Sequence, residues 1–149
     1  MAVDAPEELR AILAAAWTKS NTDERTPRFV KIGDDDVGIR QSVLLATPDS
    51  DLVTVYETTA PHEHSGIGSP YYRHTSNLRV DIRTLLQYSH GLKMKEEVLR
   101  ILFANMAAPA GSFDKLKGPF DVQNLSDKSK RLQRYVITCK LLTHRRTYA

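Results

Sequence analysis

Cysteine is almost missing from this chain. Cys139 is the only one in 149 residues, which excludes an internal disulfide framework and any zinc site built on several thiolates. Long apolar runs are missing too: the two longest, residues 11–17 and 101–108, fall far short of the roughly 20 residues that span a bilayer. Charge of one sign is scarce. With 21 Lys and Arg against 18 Asp and Glu, the formal net charge is +3, too little by itself to argue for a polyanion partner. The first eight residues, Met1-Ala-Val-Asp-Ala-Pro-Glu-Glu, carry acids where a secretory leader carries bases and an apolar run. What is present is 41% hydrophobic and 26% charged residues. That suits one modest core in a single domain over residues 1–149, expected to be soluble and made in a reducing cytoplasm.

The periodicities give an order of elements. Asp4 can cap a first helix, with Glu7 placed to complete a capping box and Pro6 tolerated in the first turn. Leu9, Ile12, Leu13, Ala16 and Trp17 then fall on one stripe. Residues 29–32 read as a short strand, 33–36 as a hairpin turn, 39–46 as the returning strand and 52–56 as a third, β-branched strand. Residues 58–73, with two prolines and two glycines, read as a long loop or arm. Residues 78–83 alternate strictly between apolar and charged, the mark of a half-buried strand. A second helix is predicted over 92–106, with Met94, Val98, Ile101, Leu102 and Met106 as its buried stripe and Glu96 paired with Arg100. Strands at 119–125 and from Tyr135 through Leu141 close the chain. The order α-β-β-β-β-α-β-β predicts a two-layer α+β domain, a mostly antiparallel sheet covered on one face by two helices.

No constellation of residues points to catalysis. His62-Glu63-His64 places two histidines at i and i+2, which on an extended segment share a face and could share a metal. A solvated loop explains them as well, and the i, i+4 spacing of a helical metalloprotease motif is absent. Asp34-Asp35-Asp36 suits a hard cation or simply a charged turn, and the rest of a calcium loop is missing. Gly66-Ile67-Gly68 lacks the strand-to-helix setting of a phosphate loop. Cys139 reads as a buried, inert thiol. Lys128, Lys130, Arg131, Arg134, Lys140, Arg145 and Arg146 make the C-terminal third basic. That asymmetry fits nucleic-acid contact, a head-to-tail interface between subunits, or a solvated face.

One resemblance covers nearly the whole chain. A short helix, antiparallel strands and the strand Arg79-Val80-Asp81-Ile82-Arg83 come first. The helix Lys95-Glu96-Glu97-Val98-Leu99-Arg100-Ile101-Leu102 and the closing strand Tyr135-Val136-Ile137-Thr138-Cys139-Lys140-Leu141 follow. In element order and size this resembles the tail terminator (tail completion) and neck proteins of long-tailed phages and archaeal tailed viruses. The resemblance implies a non-enzymatic virion protein without a cofactor. It implies a homomeric ring, typically a hexamer, that caps the tail tube, meets a head-neck connector and passes genomic DNA through its lumen. On that expectation Arg79, Asp81 and Arg83 contact neighbours or the lumen, His62, Glu63 and His64 sit in a docking loop, and Arg131 and Arg134 add basic contacts. Another neck subunit, or a small nucleic-acid-binding module using the basic C-terminal surface, are the alternatives.

Overall fold

The computed structural model of the chain describes residues 4–32, 46–59, 62–64, 71–107 and 115–146. Helix α1 spans Ala5–Ala16. The Asp4 carboxylate accepts from the Glu7 N–H at 3.3 Å, and Pro6 lies in the first turn, where a missing donor costs nothing. Leu9, Ile12 and Leu13 are buried, with Ala16 and Trp17 packed against them. Glu7 does not turn back to close a capping box; it takes the Arg10 Nε–H at 2.7 Å.

Helix α2 spans Tyr88–Ala107, four residues earlier than its apolar stripe suggests. Met94, Val98, Ile101 and Leu102 are fully buried. The expected Glu96–Arg100 pair does not form. The Arg100 Nε–H donates to Glu97 at 2.6 Å, while Glu96 lies 3.4 Å from Lys95. Glu97 is the stronger acceptor because it is buried and already receives the Thr18 N–H at 2.7 Å and the Asn21 amide at 3.0 Å.

Seven strands form one sheet: β1 Arg28–Ile32, β2 Leu52–Thr59, β3 His62–His64, β4 Tyr71–Thr84, β5 Lys115–Lys117, β6 Val122–Asn124 and β7 Gln133–Arg146. The order is β1-β2-β4-β7-β5, with β3 paired to β4 and β6 to β7. The fold is α+β, and the helices pack against one face of the sheet.

Three local readings change. First, β1 runs parallel to β2, Arg28 opposite Leu52 through Ile32 opposite Tyr56. The chain between these strands is long enough for a parallel connection, which a two-residue hairpin is not. The expected turn at 33–36 and returning strand at 39–46 lie outside the described residues, apart from Ala46. Second, much of 58–73 is not loop: 58–59 complete β2, 62–64 form β3 and 71–73 open β4. Pairing along β4 gives these backbone groups partners even where side-chain periodicity is absent. Third, the expected strand at 119–125 is shortened to β6 and preceded by β5. Pro119, after a cis bond from Gly118, has no N–H to give a ladder.

Strand parity sorts the residues. Val53 and Val55 of β2, Leu78, Val80 and Ile82 of β4, and Tyr135, Ile137, Cys139 and Leu141 of β7 join the helices in one core cluster. Burial pushes the Cys139 thiol up to about 12, so it stays protonated and inert. Among the described residues no helix is long and apolar enough to cross a membrane.

Two substitutions separate packing from polarity in this core. Leu102→Ala is expected to cost about 2–5 kcal/mol in denaturant unfolding, from lost burial and the cavity left behind. Tyr135→Phe is expected to be neutral or slightly stabilising, because the buried Tyr135 hydroxyl has no hydrogen-bond partner among the described residues.

Candidate functional site on the helix-free face

The opposite parity positions form the helix-free face, and register places them in rows. Leu52, Arg83 and Arg134 form one row across β2, β4 and β7; Thr54, Asp81 and Val136 form the next; Tyr56, Arg79 and Thr138 the third. A fourth row runs from Asn77 through Lys140 to Lys117 on β5. A bulge between Glu57 and Thr59 shifts the register of β2 there, the local device that re-aims a side chain at a sheet edge.

Asp81 organises the first two rows. Its side chain is only 4% exposed, and both neighbouring arginines close on it. Arg134 donates from Nη2 at 2.8 Å and from Nε at 3.2 Å; Arg83 donates from Nη2 at 3.2 Å and from Nε at 3.3 Å. A carboxylate inside a sheet face would be costly alone, and this double clamp offsets its desolvation. The hydrogen bonds to Asp81 also hold the Arg134 guanidinium protonated beyond its ordinary range.

The expected interface residues therefore divide. Asp81, Arg83 and Arg134 are brought together and spend their charge on one another. Arg79 stands exposed one row beyond Asp81. Arg131 sits in the turn between β6 and β7 with φ 52°, on a different part of the surface from Arg134. His62, Glu63 and His64 lie opposite His74, Arg73 and Tyr72 in the β3–β4 ladder, away from the arginine rows. Among the described residues no cluster of three or more His, Cys, Asp or Glu side chains could hold a metal. Asp34, Asp35, Asp36, Gly66 and Gly68 lie outside the described residues.

A second polar cluster was not anticipated. His90, fully buried in the first turn of α2, places Nδ1 2.8 Å from Asp23 and Nε2 2.7 Å from Asp51. Both ring nitrogens face carboxylate oxygens. Asp51 also accepts from Thr84 at 2.6 Å and from Arg25 at 3.1 and 3.2 Å, and Lys93 closes on Asp23 at 2.6 Å. Burial alone would push the Asp51 carboxyl up; the hydrogen bonds from Arg25, Thr84 and His90 outweigh it and hold the carboxyl below its usual range. Glu97 behaves alike, burial opposed by Arg100, Thr18 and Asn21. Asp51 and His90 carry acid–base groups enclosed in the interior. The cluster ties α2, β2 and the segment after α1 together.

Beside the Arg79 row lies a groove of about 280 Å³ lined by strand residues 77–79 and 138–140 together with Thr58, Pro119 and Asp121. The Thr58 hydroxyl donates to the Asn77 carbonyl at 3.1 Å. This recess combines cations, hydroxyls and a carboxamide, with the protonated Cys139 thiol in its lining.

Asp51 and Glu97 have depressed folded values, so their contribution is complete above the ordinary carboxylate range near 4 and is lost as pH falls through the folded values. Asp51→Asn is expected to cost about 2–3 kcal/mol at neutral pH. It is also expected to flatten the fall in stability below pH ~4, as read by denaturant melts across that range. No protein-family model matches the chain, and no curated protein matches it.

Proposed function

We propose that this chain is a structural, non-enzymatic ring subunit of the tail terminator type, capping a tail tube and joining it to the head or neck of a virion. The observation that carries this reading is the uneven sheet. Both helices pack on one face, while β4 and β7 run side by side for fourteen residues each, about 45 Å of paired strand. Among the described residues the core cluster ends at Leu78 and Leu141. Beyond it β4 and β7 stay paired, with β3 alongside, and His74, Ser76, Leu142 and Thr143 there are still buried.

A long paired ladder that runs past the apolar cluster under the helices suits reaching an adjacent subunit or ring. The charged end of the helix-free face, around Arg79, Lys117 and Lys140, suits heterologous contact, in which a patch on one subunit meets a different patch on the next. Element order supports the reading: among the described residues a helix, four strands and a second helix precede the closing strands. In this reading the partners are further copies of the chain, a tube protein below, a connector above and DNA in the lumen. The same geometry serves another neck subunit, and the identity of the tube-facing partner separates the two.

Light scattering across protein concentration is expected to give a ring-sized species, or a climb toward one when tail tubes are added. A protein that remains monomeric at every concentration and never binds tube ends overturns the reading. Within a ring-forming protein, deleting residues 62–72 is expected to weaken assembly or tube binding without changing the melting temperature of the core by more than a few degrees.

A further inference from the structure

Among the described residues of the helix-free face, Arg79, Lys117 and Lys140 have no counter-ion. Most described arginine side chains have a partner: Arg10 with Glu7, Arg25 with Asp51, Arg83 and Arg134 with Asp81, Arg100 with Glu97. Arg79 has none, although it sits only one row from the Asp81 clamp. Lys140 and Lys117 lie directly opposite each other on β7 and β5. Both are half-buried, and neither has an ion pair or hydrogen bond from its side chain. Like charges facing across a strand pair repel, and partial burial strengthens the repulsion by reducing screening. Arg79 and Lys140 are diagonal neighbours on adjoining strands, about 7–8 Å apart at that spacing, and both line the groove beside Thr58, Asn77, Thr138 and Asp121.

We infer that this groove binds phosphate, with Arg79 and Lys140 as its direct ligands and Lys117 as a flanking charge. Three positive charges meet the one negative charge of Asp121. The remaining excess matches a doubly charged oxyanion better than a single carboxylate. The Arg79 guanidinium offers the forked N–H geometry that phosphate oxygens accept, and Lys140 supplies a compact charge. The Thr138 and Thr58 hydroxyls and the Asn77 amide add neutral polar groups between them. Asp121, whose carbonyl accepts the Thr138 N–H at 3.0 Å, is the acid among the lining residues and favours an anion seated toward Arg79. The phosphate can be a free ion or one unit of a nucleic-acid backbone. Either source presents the same oxygens. The inference stands apart from the ring reading, because binding is measured on the protein in whatever oligomeric state it takes.

The test uses the full chain with two probes, inorganic phosphate and a short mixed-sequence single-stranded DNA, in chloride buffer of matched ionic strength. Phosphate is expected to raise the melting temperature of the wild type and not that of the Arg79→Gln/Lys140→Gln double variant. The double variant is expected to bind phosphate at least about tenfold more weakly. Arg131→Gln removes a cation that also lacks a side-chain partner but lies in a distant turn, and is expected to leave binding unchanged. If the DNA strand binds as well, its log–log salt slope is expected near −2, from three cations at about 0.7 each, and a backbone is the source. If phosphate alone binds, the source is the free ion. Absence of binding by either probe, or equal loss in Arg131→Gln, overturns the proposal. Native-like near-ultraviolet circular dichroism of each variant establishes that a loss of binding is not a loss of fold.

Discussion

The pairing of β4 with β7 is the constraint on which the rest of the molecule depends. Every other strand except β1 pairs with one of these two, and β1 reaches the sheet through β2. The register, Tyr71 opposite Arg146 through Thr84 opposite Gln133, decides which residues face the helices. A slip of one residue would exchange Val80 and Ile82 for Arg79, Asp81 and Arg83 against the core. The hydrophobic face and the Asp81 clamp enforce the same register from opposite sides. Burial of Leu78, Val80 and Ile82 demands it, and the diagonal from Asp81 to Arg134 closes only when it is kept.

Buried carboxylates do the remaining positioning. Asp51 joins the start of β2 to α2 through His90, and Glu97 joins α2 to the segment after α1 through Thr18 and Asn21. Asp81 joins two strands of the bare face. Each is stripped of water and compensated by several donors, the only arrangement in which such groups persist in an interior. They consume the nearest cations. The cations they leave over mark where the surface remains available to something else.

Much of this could be read from the sequence wherever the determinants are local. The strict alternation of residues 78–83 gave β4 its faces, and the stripes of Leu9 to Trp17 and Met94 to Met106 gave the helices. Asp4 was legible as a cap because its acceptor role acts over three residues. The parallel pairing of β1 with β2 was not legible, since strand direction depends on the path of the connecting chain and not on composition. Nor was the Asp23–His90–Asp51 cluster: its members are separated by 39 and 67 positions along the chain, and a lone histidine carries no signal of its partners. Glu96 and Glu97 differ only in which faces inward, and a one-position step on a helix reverses that choice. Among the interface residues, the type of charge was readable, but the split between clamped Arg134 and unclamped Arg79 depends on a neighbour brought from another strand.

The central place of β7 has a consequence for how the chain reaches its native state. β7 follows all the other elements in the sequence, yet it lies inside the sheet between β4 and β5. While the chain is being synthesised, α1, β2, β4 and α2 emerge before the strand that completes their core. Until then β4 presents an unpaired edge and α2 an uncovered stripe, features that invite association with other chains. The pairing itself joins segments 49 to 75 positions apart, and such non-local closure is slow compared with helix formation. Newly made chains therefore pass through a stage that is sticky at the edge later covered by β7, and a ribosome-bound or truncated product would be held there.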